Sequence, residues 1–122
     1  MDNNCIFCNQ EALILENDLA WARYDKYPVS PGHLLIISKR HVADFFDTTI
    51  EERRALNDLL QEAKKMLERE YSPDGYNIGV NCGEAAGQTI MHLHIHLIPR
   101  YQGDIDNPRG GVRGVIPDKR IY

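Results

Sequence analysis

Hydrophobic and polar positions along the chain change period several times, and each change marks an element. Leu56, Leu59, Leu60, Ala63, Met66 and Leu67 recur at helical spacing. Thr48 followed by Glu51 predicts a capping box at the start of that helix. Ser72, Pro73, Asp74 and Gly75 are turn and breaker residues that stop it near Tyr71. Upstream, Ala12–Glu16 and Leu19–Tyr24 are apolar-rich runs separated by Asn17 and Asp18, the pattern of a hairpin. Tyr27 to Gly32, with Pro28 and Pro31, reads as a loop. His33–Ser38, with Leu34, Leu35, Ile36 and Ile37 adjacent, suits a strand covered on both faces. After the helix, Tyr76–Asn81 predicts another strand, Cys82–Gly87 a glycine-bearing loop, and Thr89–Ile98 the last core strand.

Composition narrows this further. With 122 residues, 43% hydrophobic and 26% charged, the chain is expected to form a single domain over 1–122. The tail from about Gly103, rich in Gly and Pro, is expected to be irregular. A formal net charge of −4 argues against broad binding to nucleic acid or to an anionic membrane. An anionic ligand therefore needs a local positive site. Met1 to Asn9 show neither a basic leader nor an apolar h-region, and no apolar run approaches the length of a membrane span. A cytoplasmic location is expected. The cysteine count of 3 is odd, and Cys5 and Cys8 form a C-x-x-C pair, which points to metal or redox chemistry rather than a structural disulfide. Cys82 reads as a small core or loop residue.

Most of the chemistry lies in Thr89–Ile98. If it is one strand, His92, His94 and His96 line one face and Leu93, Ile95 and Leu97 the other, with the imidazoles about 6–7 Å apart. Histidine is not a favoured strand former, and buried imidazoles need partners, so such a row implies use. Two uses suit it. The histidines are metal ligands, or one is a nucleophile whose neighbours position the substrate and hold its tautomer. Spacing alone leaves both open. The preceding segment, Gly83 to Thr89, is a small-residue loop whose backbone N–H groups suit an anion, with Gln88 and Thr89 as neutral donors. Phosphate is the natural ligand for that combination.

The run Gln88-Thr89-Ile90-Met91-His92-Leu93-His94-Ile95-His96-Leu97-Ile98-Pro99 resembles the signature of the histidine triad (HIT) superfamily, in which three histidines alternate with apolar residues. Pro31 to Ile36, then Ser38 to His41, resemble that family's other characteristic block, and Asn81 and Gly87 also fall where it places them. The resemblance, with the order of strands and helix, implies an α+β fold: an antiparallel sheet of about five strands, one long helix and a short N-terminal segment. It implies a nucleotide hydrolase that attacks the α-phosphorus of a nucleoside phosphoramidate or dinucleoside polyphosphate. A nucleotidyl-histidine intermediate then releases a nucleoside monophosphate. By the same resemblance His94 is the nucleophile, His96 holds the phosphate oxygens, His33 is a further active-site histidine, and Thr89 lies near the leaving group. Asn81, Gly87 and Gln88 match contacts to phosphate and ribose, and Asp25 matches an acid on the ribose hydroxyls. Ile6, Phe7 and Leu35 match the pocket for a purine base, although Phe7 and Leu35 serve equally well as core. Cys5, Cys8, His41 and His92 match a structural zinc site, with no catalytic metal required, and homodimers are the family's usual assembly. Two other activities stay open: a nucleotidyltransferase, and a nucleotide-binding interaction module with little turnover. Arg109, Arg113, Lys119 and Arg120 in the tail are expected to reach phosphates or a partner subunit, or to lie in solvent.

Overall fold

A computed structural model describes residues 5–122. Five strands, β1 (Leu15–Glu16), β2 (Ala20–Tyr24), β3 (Leu34–Ser38), β4 (Gly75–Val80) and β5 (His94–Arg100), form one antiparallel sheet in the order β1-β2-β3-β5-β4. The helix α1 (Ile50–Glu70) covers one face. This is the α+β architecture expected from the sequence.

Alternation along the strands divides the sheet into two faces. Ala20, Ala22, Leu34, Ile36, Ile95 and Leu97 pack with Leu56, Leu59, Ala63 and Leu67 of α1 in the larger core. Those helix residues recur every three or four positions, which puts them on one stripe. Cys5, Phe7, Trp21, Leu35 and Ile37 form a second core on the opposite face, under the N-terminal segment. The register pairs Leu35 with His96 and Ile37 with His94, so both histidines share that second face.

Several boundaries differ from the sequence pattern. The capping box forms at Thr49 and Glu52, one residue after the Thr48 and Glu51 expected. Thr48 instead turns its hydroxyl to the Phe45 carbonyl at 2.6 Å. Only Leu15–Glu16 of the run Ala12–Glu16 is strand, and Ala12 adopts φ of 60°. The last strand begins at His94, not Thr89. Several main-chain groups just before it are committed outside the ladder. Leu93 N–H donates to the Val42 carbonyl, the Ile90 carbonyl accepts from Gln88, and the His92 carbonyl accepts from the His94 ring.

Gly32 enters β3 with φ of 89°, and a side chain there would crowd Leu67, Tyr71 and Pro99. The C-terminal tail has neither strand nor α-helix, only 3-10 turns over Gly111–Val115 and Pro117–Lys119. Its arginines hold the tail itself. Arg120 donates to the Asn107 and Arg109 carbonyls, Arg113 to the Lys119 carbonyl, and the Arg109 and Arg113 guanidinium groups stack on the Tyr122 ring.

Candidate active site and metal centre

The residues expected at one histidine row separate into two neighbouring centres. Because β5 starts at His94, His92 lies before the strand and turns inward, fully buried. Its Nε2 is 2.7 Å from the Ser38 carbonyl. A carbonyl only accepts, so Nε2 carries the proton and the Nδ1 lone pair is left facing the cysteines. Nδ1 of His92 lies 3.2 Å from Cys5 Sγ and 3.5 Å from Cys8 Sγ, and Cys8 Sγ lies 3.2 Å from His41 Nδ1. All four donor atoms fall within 4.8 Å of one another. Tetrahedral zinc with Zn–S of about 2.3 Å and Zn–N of about 2.0–2.1 Å spaces its donors roughly 3.3–3.8 Å apart, so the cradle fits the ion. The Ser38 carbonyl also supplies the outer hydrogen bond that orients a ligating histidine. Next to His41, Arg40 pairs with Glu52 through two hydrogen bonds of 2.8 and 2.9 Å, tying the ligand loop to the first turn of α1. That pairing holds the Glu52 carboxyl down at about 2.

His94 and His96 make the second centre, 5.3 Å apart between ring centroids. Nδ1 of His94 sits 2.8 Å from the His92 carbonyl, so it donates there and the Nε2 lone pair is free. His96 has the opposite tautomeric constraint. The backbone N–H of Val29 donates to His33 Nδ1 at 3.1 Å, which forces the His33 proton onto Nε2. His33 Nε2 is 2.9 Å from His96 Nδ1, which must therefore accept, leaving the His96 proton on Nε2. Burial, with His94 and His33 adding to it and Asp25 opposing, pushes the His96 imidazole down to about 4. Burial likewise lowers His33, again against the pull of Asp25. Both rings are neutral at pH 7.

Asp25, His33 and His96 also cluster closely enough to resemble a metal site. The tautomers argue otherwise. A metal on His33 Nε2 needs that lone pair, while the Val29 amide has already taken the one on Nδ1. Asp25 instead lies 3.4 Å from His33 Nε2 and 3.9 Å from His96 Nδ1, and accepts the Tyr27 N–H at 2.8 Å. It stands beside the imidazole pair, half-buried.

The other sequence-predicted residues distribute unevenly. Phe7 packs against His92 and His94 with centroid distances of 6.1 and 4.9 Å, and Phe7 and Leu35 are both buried in the second core. Ile6 is exposed. The pairing of Val80 with Ile95 sets Asn81 level with His94, where the loop to β5 departs. Gly87 adopts φ of 90° at the end of a 3-10 turn over Glu84–Ala86, and Thr89 is exposed. Gln88 is buried, and its amide is spent inside the protein: Oε1 accepts from Gly83 N–H and Nε2 donates to the Ala43 and Ile90 carbonyls. Its side chain shapes the loop rather than facing the histidines. Ser38, Ala43 and Val29 act through main-chain groups, which no residue pattern singles out.

The family model for the HIT domain matches residues 8–103. This chain belongs to the HIT family. Among HIT relatives, the AP-4-A phosphorylase of Mycobacterium tuberculosis is 35% identical over 98 residues, covering 79% of this chain and 50% of that protein. The Bis(5'-adenosyl)-triphosphatase of Dictyostelium discoideum is 36% identical over 98 residues, covering 80% and 66%. A HIT family protein from Bacillus anthracis superposes with a TM-score of 0.78 at 34% identity, covering 85% of this chain and 78% of the other. A Zn-bound histidine triad family protein from Mycobacterium smegmatis gives 0.75 at 32%, covering 83% and 78%. That zinc-bound HIT neighbour and the cradle geometry together assign a structural zinc to Cys5, Cys8, His41 and His92. Among the described residues, no helix is long and apolar enough to cross a membrane.

Proposed function

We propose that the chain is a nucleotide-processing enzyme: a hydrolase that attacks the α-phosphorus of a dinucleoside polyphosphate or nucleoside phosphoramidate through His94. The observation that carries this reading is the pair of complementary tautomers on one face of β5. His94 presents a lone pair at Nε2 and His96 presents an N–H at Nε2. A nucleophile beside a donor for phosphoryl oxygens is what in-line displacement at phosphorus needs. In the first step the His94 Nε2–P bond forms as the bond to the leaving phosphate or amine breaks, and the leaving group, with Thr89 beside it, takes its proton from the medium. Water then displaces His94, releasing the nucleoside monophosphate. Asn81, Gly87 and the loop amides contact the phosphate, Asp25 the ribose hydroxyls, and Ile6, Phe7 and Leu35 the purine. No step requires a metal at phosphorus. HIT relatives named for AP-4-A and bis(5'-adenosyl) triphosphate chemistry support the substrate class.

A nucleotidyltransferase is the second reading, favoured by the relative named a phosphorylase: inorganic phosphate then replaces water in the second step. The chain is further proposed to act as a single domain, as a homodimer in the cytoplasm. The deciding experiment incubates labelled diadenosine polyphosphates and adenosine phosphoramidate with the protein, with and without phosphate, and traps acid-labile label on the chain. A trapped adduct and AMP are expected. ADP formed only with phosphate present selects the transferase, and turnover without any adduct overturns the covalent route.

A further inference from the structure

The hydrogen bonds that set the His96 tautomer begin in the loop between β2 and β3, and two side chains outside the triad hold that loop in place. Ser30 Oγ donates to the Pro99 carbonyl at 2.7 Å, and the Tyr101 hydroxyl donates to the Pro31 carbonyl at 2.7 Å. Pro99 lies near the end of β5 and Tyr101 just beyond it, so both bonds clamp the loop against the strand that carries His94 and His96. Between the two clamped residues and Asp25 sits Val29. Val29 is 70% exposed, so packing does little to hold it, yet its amide is the group that meets His33.

We propose that Ser30 and Tyr101 are positioning residues of the active site. By clamping the loop against β5 they hold the Val29 amide on His33 Nδ1, and so fix His33 and His96 in the Nε2–H form. His96 then turns an N–H, not a lone pair, toward the phosphoryl oxygens of the substrate. A neutral imidazole has two tautomers, and which one is present is set by its hydrogen-bond partners. If the Val29 amide withdraws, His33 is free to carry its proton on Nδ1 and accept at Nε2. His96 then reverses, donating from Nδ1 and facing the phosphate with a lone pair. Two acceptors would meet there. A single hydrogen bond shifts such a balance by up to about tenfold. Asp25, 3.4 Å from His33 Nε2 and 3.9 Å from His96 Nδ1, lies beside the pair without choosing between the two arrangements, since each offers it one N–H.

The role rests on the reading of His96 as the phosphate ligand, but the hydrogen-bond chain is testable without turnover. Long-range proton–nitrogen correlation spectra of zinc-loaded, histidine-labelled protein at pH 7 identify each ring's tautomer. Wild type is expected to show His33 and His96 protonated on Nε2. The Ser30→Ala/Tyr101→Phe double variant is expected to show a His96 Nδ1–H population of about a tenth or more, with turnover of a diadenosine polyphosphate reduced about tenfold. Ser30→Thr, which keeps the hydroxyl, should restore both signals in part when it replaces Ser30→Ala, the remaining change being the share of Tyr101. Val29→Pro removes the donor itself and should give a larger tautomer change than Val29→Ala. Should loop distortion prevent Val29→Pro from folding, the clamp variants still decide. A wild-type His96 protonated on Nδ1, or a folded double variant with unchanged tautomers, overturns the proposal. Tautomers that change as expected in a protein that turns over no nucleotide would instead overturn the proposed function and leave the clamp standing.

Discussion

At the scale of single residues, backbone carbonyls and amides divide the work among chemically identical side chains. His92, His94 and His96 share a pattern, yet a carbonyl at Ser38 leaves Nδ1 of the first for zinc, and a carbonyl at His92 takes the Nδ1 proton of the second and leaves its lone pair on Nε2, the atom proposed to attack phosphorus. The sequence motif made the three histidines visible. The division between them was legible only through family resemblance, because main-chain partners have no residue signature. Two consequences follow for substitutions. If the proposed mechanism holds, His94→Ala should reduce turnover by at least about a thousandfold while AMP still binds, since the proposed ribose, base and loop contacts do not involve His94. On the same mechanism His96→Ala should weaken both AMP affinity and rate, because the proposed N–H contact to phosphate would serve ground and transition states alike. Equilibrium binding combined with single-turnover kinetics separates them, and equal effects in the two variants would sink the assignment. Acid brings a different expectation. His96 titrates near 4 in the folded protein against 6.5 when free, so below pH 6.5 the unfolded chain takes up a proton that the folded one refuses. Stability should be full above pH 6.5 and decline by about 1–3 kcal/mol toward pH 4 from this group, with His33 acting in the same direction. Chemical denaturation across that range should show a shallower decline in His96→Gln; an identical slope would remove His96 from the account.

Among the elements, the ones with a strong period were plain in the sequence. The stripe at Leu56, Leu59, Ala63 and Leu67 and the apolar run Leu34 to Ile37 fixed α1 and β3 closely, because burial on one or both faces leaves a repeating trace. Ends were harder. Thr48 and Thr49 are equally good caps by type, as are Glu51 and Glu52 at the third position. The difference is long-range: Arg40 reaches Glu52 and draws it inward to 4% exposure. Glu52 Oε1 also accepts the Thr49 N–H at 2.9 Å, so one carboxylate serves both cap and ion pair. Thr49→Ala should therefore cost about 1 kcal/mol, whereas Glu52→Ala should cost about 2 kcal/mol or more by also freeing Arg40. Thr48→Ala is the instructive control, since the Thr48 hydroxyl donates to the Phe45 carbonyl and accepts from the Arg53 side chain, and so caps no backbone N–H of α1. Thermal or urea denaturation in which Thr48→Ala weakens the helix as much as Thr49→Ala would contradict the observed register.

For the whole molecule, the zinc cradle joins three distant parts of the chain: the N-terminal segment, the loop after β3 and the lead-in to β5. Its four ligand atoms lie within 4.8 Å of one another, and an ion that bridges them ties these three parts of the chain together in the folded state. Chelation or Cys5→Ala should lower the unfolding midpoint by several degrees and weaken the second core before the helix-covered one; a midpoint indifferent to chelator would argue against a structural role. On the far side, β4 is the edge of the sheet, with Ile78 half exposed, and is the natural place for two copies to join sheets. Light scattering should give twice the chain mass at micromolar concentration, and a single-chain mass would remove the dimer. Trp21 gives the metal's effect a colour. It is the one tryptophan in the chain, completely buried, and it packs with Cys5 and Phe7 rather than under α1. Its fluorescence therefore reports on the zinc-side core alone, so stripping the ion should shift the emission to the red while the helical dichroism of α1 stays intact.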